Sequence, residues 1–433
     1  MGSKKYTLIN LKLILAFFTK NFGGSMSIDI ESFFNKDLPV SSAKYTGLPK
    51  YHFIGGNNSK DNIPINELIE SANRSLRKNG KNLALYGHNS GPLGNLSLRS
   101  FICTYLKNYA GMELNVDNVL ITSGSLQALD LVNSIFLKPG DTVLVEEATY
   151  GGALSRLKKQ GVDYVGINLT DDGICPVHLE ETLIDLNKKN IFPKFLYTIP
   201  TVQNPTGTIM SEKRRLKILR IVEKYNILIF EDDCYADLIW DRSRPRALYS
   251  LCDDSRVVYC GSFSKSIAPA LRVGYVVASW EVISKIVSIK SDGGSGAIEQ
   301  MILADFCSKK FDGHVNKLVK DLKAKCDIMV GSLEKEFGST AEFSVPKGGI
   351  FIWITLPNSV DTKKLSIISA KKGITINPGS EWVSNPNNGT HKMRLCFANP
   401  EIDVITNGIK KLSTLCYAEF GVPEISGNVE RNS

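Results

Sequence analysis

The feature that most constrains this chain is an alternation of short β-rich runs with helix-like segments, from about residue 60 to about residue 300. The runs are rich in branched and aromatic residues, and each of the first several is followed by a turn signal and then by a helix-like stretch. Parallel strands that are joined by helices and buried on both faces produce this pattern. The pattern therefore predicts an α/β domain with a large, mostly parallel sheet of the seven-stranded type. The runs are NVLITSG, DTVLVEEATY, VDYVGINL, KFLYTIP, NILIFEDD, RVVYCGSFS and RVGYVVA.

After about residue 300 the pattern changes. A long helix-like stretch leads to the apolar runs GGIFIWITLP, GITINPGSEW and KMRLCFAN, which predict a second, smaller α+β domain. Upstream, INELIESANRSLRKNG and LSLRSFICTYLKNYAG have helical periodicity and end on Gly80 and Gly111. We therefore divide the chain into four parts after residue 25. These are an N-terminal arm (26–60), a large domain (61–300), a smaller C-terminal domain (301–425) and a tail (426–433).

Residues 1–25 are expected to be an extension upstream of a natural start at Met26. Residues 8–18 are apolar, but a membrane span needs about 20 apolar residues, and Lys12 interrupts this run. The following TKNFGGSM is a poor signal-peptide cleavage site, and the segment lacks the Arg and Ser of an organelle presequence. We expect a cytoplasmic protein with no membrane partner, and organelle targeting by residues 1–25 stays open.

Charge and cysteine usage exclude several classes of function. The net charge is +8, and the four lysines of residues 1–25 supply half of it. Elsewhere basic and acidic residues are interleaved, so no basic stripe indicates a nucleic-acid partner. The nine cysteines are widely spaced without a Cys-x-x-Cys pair, and the five histidines do not cluster. A reducing compartment is expected, and neither a disulfide framework nor a metal site is.

Polar side chains follow several of the predicted strands. In open α/β sheets, functional residues gather at the carboxyl ends of the strands. Lys265 stands out because it follows the apolar run VVYC, where a lysine without a function is costly to bury. The other candidates at strand ends are Ser125, Tyr150, Asn204, Asp232, Tyr235, Ser262 and Arg272.

Taken singly, most of these residues have an ordinary structural explanation. Ser125 could cap a helix, Tyr150 could be half-buried, and Asn204 could only form a turn. The acids beside Asp232, which are Glu231 and Asp233, could be solvated. Together, however, the candidates match one ligand that has a phosphate, a planar ring with a cationic nitrogen, a ring oxygen and a carbonyl carbon open to an amine. Pyridoxal 5′-phosphate (PLP) has all of these groups.

Nine motifs in order resemble those of the class I/II aminotransferases, a family of PLP-dependent enzymes of fold type I. The resemblance runs from about residue 50 to about residue 415. It is strongest to the branch that contains 2-aminoadipate and kynurenine-type aminotransferases and the aminotransferase-like half of MocR regulators. The motifs are FIGG (53–56), LYGHNSGPLGNLSLR (85–99), TSGSLQAL (122–129), VEEATYGGAL (145–154), QNPTG (203–207), EDDCY (231–235), GSFSKSIAPALRVGY (261–275), PKGGIFIW (346–353) and MRLCF (393–397).

The resemblance implies roles for the residues around the cofactor ring. Lys265 would form the internal aldimine with PLP and later move the proton between the substrate Cα and the C4′ carbon. Asp232 would keep the pyridine nitrogen protonated. Tyr235 and Asn204 would hydrogen-bond the ring oxygen, and Tyr150 would stack on the ring.

The resemblance also implies a phosphate site and a partner subunit. Ser125, the backbone N–H of Leu126, Ser262 and Arg272 would hold the phosphate. Leu126 stands where this branch usually has glutamine, so only a backbone contact is expected there. Tyr86 would reach the phosphate of a neighbouring subunit, which implies a homodimer with shared active sites.

For the substrate, the resemblance implies that Arg394 grips the α-carboxylate with help from Asn204 and from the backbone at Gly55 and Gly56. The segment 291–300 has no arginine, so a dicarboxylic substrate would need another cation.

The function expected is therefore transfer of an amino group from an L-amino acid to a 2-oxo acid by a ping-pong mechanism. Two alternatives stay open. One is another PLP reaction on the same fold, such as a C–S lyase or a decarboxylase. The other is a non-catalytic sensor like the MocR proteins, which is disfavoured because only about 50 residues precede the first motif.

Overall fold

The computed structural model describes residues 28–36, 38, 41–42, 44–45 and 47–423. The expected extension 1–25 and the expected tail 426–433 lie outside the described residues. Contacts divide the chain into two units, one ending at Leu48 and one beginning at Pro49. The first contains a 3-10 turn at Ile30–Phe33. The second contains every element described below.

A seven-stranded sheet forms the centre of the second unit, as the alternating pattern predicts. Its spatial order is β2-β10-β9-β8-β7-β3-β4, and only β10 runs antiparallel to its neighbours. The two central strands are buried along nearly their whole length, as expected for a sheet covered on both faces. Counting a short first strand, β1 (Tyr51–His52), the chain order continues with β2 (Val119–Thr122), β3 (Thr142–Glu146), β4 (Asp163–Ile167), β5 (Leu169–Thr170), β6 (Gly173–Ile174), β7 (Phe195–Thr198), β8 (Leu228–Asp232), β9 (Val257–Ser262) and β10 (Gly274–Val277).

Helices connect these strands and cover the sheet. The two helices predicted upstream end where expected: the first is followed by Gly80, and the second by Gly111 in the left-handed conformation that glycine adopts easily. Asn95 caps the second helix by accepting the N–H of Leu98. The helices up to residue 290 are α1 (Ile65–Asn79), α2 (Leu96–Ala110), α3 (Ser125–Phe136), α4 (Gly151–Lys159), α5 (Pro176–Lys188), α6 (Glu212–Lys224) and α7 (Trp280–Ile289).

The segment after residue 290 contains one long helix and a small antiparallel sheet. The long helix, α8 (Ala297–Phe337), packs on α1, on α2 and on the last helix of the chain. The sheet has the order β11-β14-β13. The remaining elements are β11 (Phe351–Thr355), α9 (Thr362–Ala370), β12 (Ile374–Thr375), β13 (Asn377–Pro378), β14 (Lys392–Cys396) and α10 (Ile402–Phe420). Among the described residues, no helix is long and apolar enough to cross a membrane.

This topology sets where the site can form. Strands β2, β3, β7, β8 and β9 are mutually parallel or share the antiparallel neighbour β10, so their carboxyl ends open on the same edge of the sheet. The small sheet brings β13 and β14 to that edge, since residues of both line the same cavity.

Candidate active site

A cavity of about 420 Å³ opens at the carboxyl ends of the central strands. It brings together eleven of the thirteen residues that the sequence nominates. These are Gly55, Gly56, Ser125, Leu126, Tyr150, Asn204, Asp232, Tyr235, Lys265, Arg272 and Arg394. The two that do not line it are Ser262 and Tyr86.

Lys265 follows β9 and points its amine into the cavity. Its Nζ donates a hydrogen bond to the carbonyl of Gly56 at 2.7 Å and lies 5.9 Å from the centre of the Tyr235 ring. Burial lowers the pKa of this amine, and the nearby guanidinium groups of Arg394 and Arg272 lower it further. A lysine in these surroundings is more often neutral, and therefore nucleophilic, than a lysine in water.

Asp232 ends β8 and is buried beside the cavity. Its Oδ2 accepts the hydroxyl of Tyr197 at 2.7 Å, and its Oδ1 accepts the backbone N–H of Cys234 at 3.4 Å. Burial raises the pKa of this carboxyl group, while these donors oppose the rise. A buried carboxylate of this kind is stabilised by a cation placed against it.

The two acids beside Asp232 are not solvated, as their position at a strand end had allowed. Glu231 and Asp233 are buried, and each is paired with a buried arginine. Arg215 lies 3.7 Å from Glu231, which also accepts two backbone N–H groups, and Arg244 forms an ion pair with Asp233. These two acids therefore hold the strand end in place, and Asp232 is the member of the triplet that lines the cavity.

Asn204 and Arg394 form one hydrogen-bonded unit with Tyr235. The Asn204 amide donates to the Tyr235 hydroxyl at 3.4 Å, and its oxygen accepts from Arg394 Nη1 at 2.9 Å. Arg394 Nη2 donates to the Gly55 carbonyl and to Asn377 Oδ1, at 2.8 and 2.9 Å. Burial lowers the pKa of the guanidinium to about 10, so it stays charged at neutral pH.

Two aromatic rings clamp this guanidinium. The Arg394 Cζ lies 3.5 Å from the ring centre of Trp382 and 3.7 Å from that of Phe351. Such stacking favours the flat guanidinium and fixes its plane. Trp382 also lies 6.0 Å from the ring of Tyr150. The sequence analysis did not nominate Trp382, Asn377 or Tyr197. Of the three, only Tyr197 had a sequence signal, because it lies in a predicted strand run.

A second corner of the cavity is built from backbone at the start of α3. Gly124 precedes Ser125 with a φ of +80°, and Arg272 has a left-handed φ of 53°. The Arg272 guanidinium donates to the Ser123 carbonyl at 3.1 Å and lies so close to Gly124 that a Cβ there would collide with it. A Cβ on Gly274 would approach the Ser125 nitrogen to 2.8 Å. Free N–H groups at a helix start next to a guanidinium form a cradle for an anion.

Ser262 and Tyr86 lie elsewhere. Ser262 is buried, and its hydroxyl accepts the N–H of Ser264 at 3.1 Å, while Ser264 itself lines the cavity. Tyr86 is 94% exposed and lies against Gly293.

The family model for aminotransferase class I and II matches residues 53–412. The chain is 30% identical over 398 residues to aromatic-amino-acid aminotransferase 1 of Thermococcus litoralis, covering 89% of this chain and 94% of that protein. It is also 32% identical to the uncharacterized HTH-type transcriptional regulator YdfD of Bacillus subtilis, over 78% of this chain and 69% of that one. Pyrococcus horikoshii kynurenine aminotransferase, solved in complex with PMP, matches with a TM-score of 0.84 at 30% identity, covering 91% of this chain and 99% of that one.

This chain therefore belongs to the class I and II aminotransferase family, and the resemblance drawn from its motifs is confirmed. It is a PLP-dependent aminotransferase with the fold-type I architecture.

The residues of the cavity fit this cofactor. A lysine amine, a buried carboxylate and an anion cradle lie in one cavity, and PLP needs a partner for its aldehyde, its ring nitrogen and its phosphate. Glycines at 124 and 274 leave free the space that a Cβ would fill next to the cradle.

Proposed function

We propose that this chain transfers an amino group from an L-amino acid to a 2-oxo acid, with Lys265 as the catalytic amine. The two half-reactions would use the same cavity in turn. The single observation that supports this most is the meeting of a lysine amine, a buried carboxylate and a clamped guanidinium in one cavity. When bound, PLP supplies an electrophilic carbonyl carbon and a ring that accepts the electrons of the Cα–H bond.

Lys265 has two tasks in this proposal. Its Nζ would hold the aldehyde carbon of the bound cofactor, and when displaced from it by the substrate amine, the same Nζ would serve as the general base for the Cα proton. The lowered pKa of this amine supports both tasks, because a neutral amine is needed for attack and for proton removal. The same Nζ would then hold this proton and deliver it on the other side of the transferred nitrogen.

Asp232 would face the ring nitrogen and hold a proton on it. The Tyr197 hydroxyl keeps the carboxylate oriented and favours its charged form. Tyr235 and Asn204, which are already hydrogen-bonded to each other, would bind the ring oxygen. Tyr150 would cover one face of the ring.

The anion cradle would bind the phosphate. Ser125, the N–H of Leu126 and Arg272 line the cavity at that corner. Ser262 was predicted to join them, and its bond with Ser264 makes Ser264 a further candidate for the same contact.

Arg394 would bind the substrate α-carboxylate as a flat, two-pronged donor. Its present acceptors are neutral oxygens on Gly55, Asn204 and Asn377. A carboxylate is a stronger acceptor than any of these, so it would displace the Gly55 carbonyl, and backbone at Gly55 and Gly56 would close over it.

Assembly and compartment form part of the same proposal. Tyr86 would reach the phosphate of a second subunit, which makes the functional unit a homodimer. Its nearly complete exposure in the single chain supports this.

The nine cysteines are all free, which supports a reducing compartment such as the cytoplasm.

The test replaces Lys265 by alanine in the full chain. We expect Lys265→Ala to retain cofactor but to slow the half-reaction with an amino donor by roughly 10²- to 10⁴-fold, the range typical of a general base. The measurement is single-turnover absorbance of bound cofactor after mixing with amino acids in the absence of any oxo acid. Lys290→Ala, which removes a lysine outside the cavity, is the matched control.

Product analysis separates the alternatives. Formation of one oxo acid per site supports transamination. Continuous release of ammonia with pyruvate, or of CO₂, would instead identify a lyase or a decarboxylase. Cofactor binding without any reaction across a panel of amino acids would favour a sensor.

A further inference from the structure

Three metal-binding side chains meet at one wall of the cavity. A carboxylate oxygen of Asp232 and the sulfurs of Cys234 and Cys260 all lie within 4.8 Å of one another. All three residues are buried, and Asp232 and Cys234 line the cavity. Parallel pairing of β8 with β9 places Asp232 directly opposite Cys260. The fold thus creates a ligand group that the cysteine spacing does not indicate.

This set of ligands matches a thiophilic divalent cation. Zinc binds cysteine sulfur at about 2.3 Å and carboxylate oxygen at about 2.0–2.2 Å, usually as a tetrahedron. Ligand atoms around such an ion lie roughly 3.3–3.8 Å apart, so these three would need to approach one another by up to about 1.5 Å. The fourth position would face the cavity, where a water molecule can complete the coordination.

We propose that Asp232, Cys234 and Cys260 form a site for one thiophilic divalent cation of the zinc type, and that this cation and PLP exclude each other. The inference rests on the proposed function in one respect, because it takes Asp232 as the partner of the ring nitrogen. The ion and the ring N–H would both lie against Asp232 on the same wall of the cavity, which also carries Cys234, so binding of one blocks the other. On binding, each thiol loses its proton to solvent and no electrons are transferred.

As a consequence, the cation and PLP compete for binding to the newly made or cofactor-depleted enzyme. Bound PLP protects the site by occupying Asp232 and covering Cys234. The cation occupies the same place when PLP is absent, and a chelator restores cofactor binding.

The test uses the full chain stripped of cofactor and kept reduced. Zn²⁺ is titrated and the bound metal is counted per chain, and Co²⁺ serves as a spectroscopic probe because thiolate ligands give it an intense charge-transfer band. We expect one ion per chain, a thiolate band with Co²⁺, and release of the ion when PLP is added in excess.

Cys260→Ala separates the metal site from the cofactor site, since Cys260 does not line the cavity. We expect it to bind PLP as the unmodified chain does but to bind Zn²⁺ at least tenfold more weakly, because even loss of a residue that only supports a ligand costs about 10- to 100-fold. Cys260→Val retains more side-chain volume and replaces the alanine variant if that one does not fold. Cys326→Ala, at a buried cysteine of α8, is the matched control and should bind Zn²⁺ normally.

Three results would overturn the proposal: no bound ion, equal Zn²⁺ affinity in the Cys260 variants, or simultaneous full binding of Zn²⁺ and PLP. A parallel titration with PLP and no metal tests the proposed function separately. Normal PLP binding together with no Zn²⁺ binding would reject this inference alone, whereas failure of PLP to bind would reject the assigned cofactor contacts.

Discussion

At the scale of single residues, Arg394 shows how this protein keeps a charge buried and ready. Its guanidinium lies between the rings of Phe351 and Trp382, and its N–H groups contact three neutral oxygens. These neutral acceptors replace part of the hydration that the guanidinium loses on burial, but they do not cancel its positive charge. The arginine therefore retains most of its attraction for an incoming carboxylate.

Arg394→Lys tests this arrangement, because lysine keeps the charge but loses the flat, two-pronged shape and the stacking. We expect kcat/KM for the amino donor to fall roughly 10- to 100-fold, since hydrogen bonds to charged groups contribute about 1.5–3 kcal/mol. Most of the loss should appear in KM, measured by steady-state kinetics. Arg246→Lys, at an exposed arginine paired with Glu212, is the control. An unchanged KM would contradict the assigned role.

At the scale of elements, Glu146 ties the end of β3 to the turn that carries Asn204. Its carboxyl group accepts the Thr198 hydroxyl at 2.6 Å, the Ile199 N–H at 3.1 Å and the Gln203 amide at 2.8 Å. The Gln203 oxygen in turn accepts from Thr206 within the same turn. Burial raises the pKa of Glu146 to about 7.

This raised pKa predicts a pH dependence of stability. Between its usual pKa of 4.5 and the folded value of about 7, Glu146 binds a proton in the folded chain that the unfolded chain has lost. The contribution to the free energy of unfolding is therefore complete below the lower value and is lost as pH rises through the upper one. The slope is up to about 1.4 kcal/mol per pH unit.

Glu146→Gln removes this titration, so the free energy of unfolding of the variant should fall less steeply between pH 5 and pH 7. Denaturant unfolding at several pH values measures the difference. Glu113→Gln, at an exposed acid, should keep the slope of the unmodified chain. Parallel slopes for Glu146→Gln and the unmodified chain would show that Glu146 is ionised throughout this range.

At the scale of the whole molecule, the active site is proposed to need two chains. Tyr86 does not line the cavity of its own chain and is almost fully exposed. If it completes the phosphate site of a partner, each site combines Lys265 from one chain with Tyr86 from the other.

Mixing two inactive variants tests this directly. Lys265→Ala and Tyr86→Ala homodimers should each be impaired, but subunit exchange should form mixed dimers that have one intact site. A random mixture should recover about a quarter of the unmodified activity, because half of the dimers are mixed and each has one of two sites. Lys265→Ala mixed with Arg272→Ala is the informative control. Because Lys265 and Arg272 line the cavity of one chain, each site of that mixed dimer carries one alteration and no activity should be recovered. Recovery with Tyr86→Ala but not with Arg272→Ala therefore supports a Tyr86 that crosses to the partner.

The decisive comparison is therefore a double variant. A chain carrying both Lys265→Ala and Tyr86→Ala is mixed with unmodified chain, so that each mixed dimer has one unaltered Lys265 and one unaltered Tyr86, both in the same chain. Activity of the mixed dimers should be near zero when Tyr86 crosses to the partner, since the one remaining Lys265 then faces an altered Tyr86. Half-activity of those dimers would place Tyr86 in its own chain.

Sequence reasoning reached the sheet and most of the cavity because both depend on local signals. The strands β2, β3, β7, β8 and β9 are found within the predicted runs, and the residues after them converge because carboxyl ends of parallel strands share an edge. Trp382, Asn377 and Tyr197 were missed because their roles depend on contacts with residues far away in the chain.

The sequence by itself determined the class of fold, the family and the nomination of Lys265, because strand periodicity, turn residues and motif order are written along the chain. Only the tertiary structure decided the burial of Glu231 and Asp233, the aromatic clamp on Arg394 and the meeting of Cys234 with Cys260. The physical reason is that burial and pairing depend on which strands become neighbours, and the spacing of residues along a chain does not specify that.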